Sequence, residues 1–96
     1  MKVQLSAEAE AQANEIDAWW REHRRRAPDL FTNELERALL GLGDTPTLGV
    51  TYATGARTVR RLLLRRTHYH LYFEQQSERV FVVALWSAFR GRGPKL

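Results

Sequence analysis

Val59-Arg60-Arg61-Leu62-Leu63-Leu64, Tyr69-His70-Leu71-Tyr72-Phe73 and Arg79-Val80-Phe81-Val82-Val83-Ala84-Leu85-Trp86 are runs of β-branched, aromatic and basic residues in the carboxyl-terminal half of the chain. Such side chains suit a pleated, half-buried surface, so strands are expected over 59–65, 67–75 and 79–86. Gln76-Ser77 lies near the centre of a hairpin turn between the second and third. In the second strand Tyr69, Leu71 and Phe73 share one face and His70, Tyr72 and Glu74 the other, a core side and a semi-polar side. The third is apolar on both faces: Val80, Val82, Ala84 and Trp86 alternate with Phe81, Val83 and Leu85, the pattern of a strand covered twice. Helices in a chain this small cover one face fully, so part of the other is expected to be covered by something else, such as a partner chain.

Outward from these strands, the amino-terminal half reads as helical. Met1–Leu5 alternates weakly as a short strand, and Ser6 is a helix cap with Glu8 and Glu10 in the first turn. Ala9, Ala13, Ile16 and Trp20 then recur on one helical stripe, which assigns Trp20 to the core and Trp19 to the helix–sheet boundary. Arg24, Arg25 and Arg26 suit the carboxyl end of that helix, and Ala27-Pro28 breaks it. A second helix is expected from about Pro28 to about Leu40, with Phe31, Leu35, Ala38 and Leu42 at helical spacing and Gly41 and Gly43 stopping it. Residues 43–56 are dense in turn formers and read as an irregular crossing segment. Ser87–Leu96 reads as a flexible or turned basic tail. The chain therefore reads as one domain spanning 1–96, with a short first strand, an antiparallel pair of helices and then three strands.

Composition narrows the chemistry. Hydrophobic residues make up 44% and charged residues 27% of 96, the balance of a folded chain rather than a disordered one. Cysteine is absent, which removes disulfides, thiolate nucleophiles and Cys-based metal sites. No apolar run is long enough to span a bilayer and no secretory signal order is present, so a cytoplasmic chain without a membrane partner is expected. Net charge is +4, but residues 1–44 carry six basic and nine acidic side chains while 45–96 carry nine and two. The positive charge is localised, and nearly all of it is arginine, which holds phosphate or carboxylate through paired hydrogen bonds.

The main basic cluster is Arg57, Arg60, Arg61, Arg65 and Arg66, joined by Arg90 and Arg92. Arginines beside Tyr69, Tyr72 and His70 match the charge and stacking found at single-stranded nucleic acid; the alternative is a solvated sheet edge protected by charge. A metal-independent nuclease is chemically conceivable, with Arg neutralising a phosphate, Tyr or His moving protons, and His68 and His70 on one strand face as a base–acid pair. Only Glu74 stands near as an oxygen ligand, so no metal site and no cofactor are expected.

The three strand runs, with the opening Val3-Gln4-Leu5-Ser6-Ala7-Glu8-Ala9-Glu10, resemble toxins of the RelE/ParE superfamily from bacterial type II toxin–antitoxin modules, and the resemblance covers nearly the whole chain. It implies a small α+β toxin fold, an antiparallel β-sheet packed against an amino-terminal two-helix hairpin, wrapped by a cognate antitoxin encoded beside it, with the complex binding DNA through the antitoxin. The ribosome-dependent, mRNA-cleaving branch is similar in its basic sheet residues. Arg61 and Arg90 fill two of those places, whereas His70 replaces an Arg, Leu63 stands where Lys is expected, and no Tyr follows Trp86. The gyrase-poisoning branch is similar in ending with a short basic tail, as Phe89-Arg90-Gly91-Arg92 does. The resemblance therefore implies an inhibitor of DNA gyrase, with an mRNA endoribonuclease acting at the ribosome and a non-toxic RNA-binding module as alternatives. The residues expected to meet the target are Arg60, Arg61, Arg65, Arg90 and Arg92; Leu62, Leu71, Val82 and Trp86 are expected at core or antitoxin-facing positions.

Overall fold

The computed structural model describes residues 1–55 and 57–96. The order of elements is β1 (Lys2–Leu5), α1 (Ala7–His23), α2 (Leu30–Asp44), β2 (Val50–Thr54), β3 (Arg57–Leu64), β4 (Tyr69–Gln75) and β5 (Arg79–Ser87). They form one five-stranded sheet in the order β1-β5-β4-β3-β2 with the helices on one face. Strands β2 to β5 are an antiparallel meander, whereas β1 adds to β5 in parallel, so the expected all-antiparallel sheet carries one parallel edge.

Ser6 caps α1 as its residue type dictates, its hydroxyl accepting from Ala9 N at 3.0 Å. Ala9 and Trp20 of the stripe are buried, with Ala13 and Ile16 packed beside them. Phe31, Leu35 and Leu42 of α2 complete this core against Leu64, Leu71, Phe73, Val80, Val82 and Leu85 of the sheet. Arg21 ties the helices together by reaching both Asp17 (3.2 Å) and Asp29 (2.8 Å).

Several expectations are corrected. Helix α2 continues through Gly41 and Gly43 to Asp44, because Leu42 between them is fully buried and its burial outweighs a glycine cost of about 1 kcal/mol each. Gly43 also admits a close approach: a Cβ there would stand 3.1 Å from the Met1 carbonyl, beside the Met1 amino group that donates to Gly43 O at 2.8 Å. The segment 43–56 contains strand β2, an edge strand paired with β3; Ala56 lies outside the described residues. Strand β4 starts at Tyr69, and residues 65–68 form a turn anchored by Glu34 of α2. Both Glu34 carboxylate oxygens are engaged there, one accepting from Arg66 N (2.8 Å) and the other from Thr67 N (3.0 Å) and Thr67 Oγ1 (2.6 Å).

The largest correction concerns β5. Tyr72 pairs with Ala84 and Phe73 with Val82, so Val83 is bulged out of register. The bulge reverses the alternation beyond it: Leu85 joins Val80 and Val82 in the helix-side core, while Val83, Ala84 and Trp86 face the other way. Helix α1 stabilises this irregularity. Ser6 N donates to Val82 O (2.8 Å), Ser6 Oγ to Val83 O (3.2 Å), and Leu85 N to Gln12 Oε1 (2.8 Å).

The second face is covered by the chain itself. Val59, Tyr72, Val83 and Ala84 form a smaller core there, on which Tyr52, Phe81, Trp86 and Leu96 pack. Pro94 is buried, so the tail crosses this face as an ordered strap rather than hanging free. Gly93 makes the crossing possible: a Cβ at this residue would meet the Tyr52 hydroxyl at 2.5 Å and the Tyr72 hydroxyl at 3.4 Å.

Arg60 points to the helix side of β3 and binds the α2–β2 loop. Its guanidinium donates to the carbonyls of Leu48 (3.1 Å), Gly49 (2.9 Å) and Thr47. Arg60→Ala is expected to cost about 1 kcal/mol, the partly exposed site reducing the worth of these bonds, and to shift Tm by several degrees. Hydrogen exchange at residues 47–50 rising more than elsewhere is the accompanying signature.

Candidate functional site

Alternation along β3 places Arg60 and Arg61 on opposite faces, and Arg61 joins the face crossed by the strap. Register aligns Arg61 with Tyr72, and Leu63 with His70 and Trp86. These side chains and the tail enclose a cleft of about 260 Å³ lined by Tyr52, Arg61, His70, Tyr72, Trp86 and residues 87–93 apart from Phe89. Four of the sequence-predicted residues, Arg61, His70, Arg90 and Arg92, are thus brought together from two strands and the tail.

Arginine and aromatic side chains order one another here. The Arg61 guanidinium carbon lies 4.8 Å from the Tyr52 ring centre, and Tyr52 meets Tyr72 edge to face at 5.1 Å. The guanidinium of Arg90 covers Trp86 at 4.2 Å, and Trp86 Nε1 donates to Arg92 O at 2.8 Å. Trp86 therefore fixes the root of the tail from two sides. His70 lies 6.1 Å from Tyr72, ring centre to ring centre.

Titration behaviour follows from this packing. Burial, reinforced by the Arg61 charge, holds His70 below the ordinary imidazole value of 6.5, so the ring is neutral near pH 7. Burial pushes the Tyr72 phenol up, against the opposing pull of Arg61, and it too stays neutral. The cleft is a cationic rim over neutral hydrogen-bonding groups, an arrangement for receiving an anion. Because the unfolded chain takes up a proton that folded His70 resists, its contribution to stability is full above pH 6.5 and declines as pH falls below it. Melting of native chain and His70→Asn at about pH 7.5 and pH 5.5 checks this: the native chain should lose ground relative to the variant at the lower pH.

The remaining expected residues go elsewhere. Arg60 serves the α2–β2 loop on the opposite face, and Arg65 is exposed in the β3–β4 turn. Leu71 and Val82 are fully buried between sheet and helices and Leu62 packs against the same core, so the first two offer a partner no surface in this conformation; Trp86 alone of that set lines the cleft. His68 is not a strand partner of His70: it sits in the turn with φ 63° and lies tilted against Phe89 at 4.9 Å. Tyr52 and Gly93 were not expected at the site. Tyr52 lies in the turn-rich segment that reads from its sequence as irregular, and the closeness of Gly93 to two hydroxyls has no signal beyond Gly-x-Gly-Pro. Arg57, basic but outside the cleft, forms an ion pair with Glu74. Among the described residues no cluster of His, Cys, Asp and Glu is suited to a metal ion, and no helix is long and apolar enough to cross a membrane.

Against this geometry, the family model described as "ParE toxin of type II toxin-antitoxin system, parDE" matches residues 3–90. The chain belongs to the ParE toxin family. Its fold is similar to that of a solved chain described as the chromosomal ParDE toxin–antitoxin system from P. aeruginosa, with a TM-score of 0.73 at 15% identity, covering 91% of this chain and 95% of that one. No curated protein sequence matches. Membership in the ParE family makes the chain a component of a type II toxin–antitoxin module, with a cognate antitoxin as its counterpart. The expected α+β arrangement of an amino-terminal helix pair on a largely antiparallel sheet is that of the ParE-like branch.

Proposed function

We propose that this chain is a non-catalytic toxin that inhibits DNA gyrase, that the cleft of Arg61, Arg90 and Arg92 meets the target, and that a cognate antitoxin neutralises it. The observation carrying this reading is the strap. With Gly93 seated against the Tyr52 and Tyr72 hydroxyls, the phenols that could move protons in a nuclease lie beneath the tail, while Arg90 and Arg92 stay exposed at the rim. Membership in the parDE family favours the same branch.

The antitoxin would be recognised by charge, since the carboxyl-terminal half is strongly basic, and the toxin–antitoxin complex would bind DNA through the antitoxin. Supercoiling by purified gyrase, assayed with the chain alone and after addition of the antitoxin encoded beside it, tests the reading. Inhibition relieved by antitoxin is expected. Unimpaired supercoiling, together with antitoxin-sensitive cutting of mRNA on translating ribosomes, would move the assignment to the endoribonuclease branch.

A further inference from the structure

A second cleft, of about 350 Å³, lies between the end of α1, the β3–β4 turn and the start of the tail, lined by Trp19, Trp20, Arg24, Arg66, Thr67, His68, Tyr69, Ser87 and Phe89. It shares only Ser87 with the cleft of Arg61, and nothing above gives it a task. Two large aromatic residues stand open to solvent at it, Trp19 at 40% and Phe89 at 78% exposure. Trp19 carries a stack of its own: His23 lies parallel to it at 4.7 Å and 13°, and the Arg24 guanidinium lies 4.8 Å from its ring centre. His68 tilts against Phe89 from the opposite wall.

We propose that this cleft binds single-stranded nucleic acid, stacking bases on Phe89 and on the Trp19–Arg24 layer and holding backbone phosphate with Arg24 and Arg66. Its lining holds no carboxylate and no aliphatic side chain. A peptide's apolar anchor would be met by aliphatic walls, whereas bases are met by ring and guanidinium faces. Arg25 and Arg26, both exposed, follow directly on Arg24 in the chain; Glu34, which reaches the same turn, has both oxygens engaged by Arg66 N and Thr67. The wall is also built to hold its shape. His68 takes a left-handed backbone, uncommon for a non-glycine residue, fixed by its N–H donating to Leu64 O (2.8 Å) and its carbonyl accepting from Ala88 N (2.7 Å). That last bond clamps the turn to the segment bearing Phe89.

The test is fluorescence anisotropy of a dye-labelled oligothymidylate of about a dozen nucleotides with the full chain at about 0.1 M salt; it involves neither gyrase nor antitoxin and stands apart from the proposed function. Binding is expected, with Trp19→Leu plus Phe89→Ser weakening it about tenfold or more and Arg24→Gln lowering the salt slope by about 0.7. Far-UV dichroism and melting verify the fold; should the double variant fail to fold, Phe89→Ser, at a side chain that packs little, carries the comparison. The proposal is overturned by no binding to the native chain, by unchanged affinity in the ring variants, by oligoglutamate displacing the strand equally well, or by loss of binding in Arg61→Ala while the ring variants retain it.

Discussion

Phe31→Ala is expected to remove about 3–5 kcal/mol of folding stability, the largest effect of any single truncation argued here. Phe31 is fully buried on the first turn of α2 and meets Tyr69 edge to face at 5.3 Å, joining α2 to the first residue of β4. Tyr69 in turn accepts from Trp20 Nε1 at 3.3 Å, so all three elements that set the helix–sheet angle meet at this contact. The void would have no simple filling, because the core that Phe31 shares with Leu35, Leu64 and Leu71 is close-packed as protein interiors are. A domain of this size has about 5–15 kcal/mol in total, so the variant should lose roughly 15 °C or more in Tm. Calorimetry or dichroism melts check it; a loss under about 1 kcal/mol would mean the helix pair does not depend on this contact.

Arg61→Ala with Arg90→Ala is expected to leave the fold nearly intact and abolish growth inhibition on expression without antitoxin. Both guanidiniums lie on aromatic rings, Arg61 at a half-buried and Arg90 at an exposed position, where such contacts are worth about 0.5–1 kcal/mol each. As central cations of a docking surface, each would contribute about 2 kcal/mol or more, so one substitution should raise the concentration for half-inhibition roughly thirtyfold. Arg61→Lys separates charge from shape: it keeps the cation but loses the planar group over Tyr52, and should recover only part of the activity. Full toxicity of the double variant at equal protein level would remove the cleft from the target surface.

Much of the fold was readable from residue types acting locally. The Ser6 cap, the Ala9-to-Trp20 stripe and the Phe31-to-Leu42 stripe depend on neighbours within a few residues, and each formed as spacing dictates. What escaped depends on partners distant in sequence. Nothing near Val83 announces a bulge; it is held by Ser6 and Gln12, more than 70 residues away. Without it, Leu85 and Trp86 are assigned to the wrong faces. Strand β2 hid among turn formers because an edge strand draws its stability from pairing with β3, and Gly43 looked like a stop when its lack of a side chain serves the approach of Met1.

The candidate site divides in the same way. Arg61 within a strand and Arg90 and Arg92 past the end of another stand out as basic residues, but charge alone does not tell them from Arg60, whose three carbonyl partners lie in another loop. The cover of the second sheet face was foreseen as a need and assigned to something like a partner, whereas the tail supplies it through Pro94 and Leu96. A basic, glycine-containing tail carries little local sign of order; its docking depends on a site for Gly93 that exists only once β2 and β4 are paired through β3.

The most direct test of the target assignment is gyrase-mediated DNA cleavage. Plasmid, gyrase, ATP and the purified chain are incubated, then treated with detergent and protease so that any arrested cleavage complex is released as linear DNA. Linear DNA should accumulate with the native chain, fall to background when antitoxin is added first, and fail to form with Arg61→Ala plus Arg90→Ala. Background levels with folded native chain, at concentrations that arrest growth, would contradict gyrase as the target.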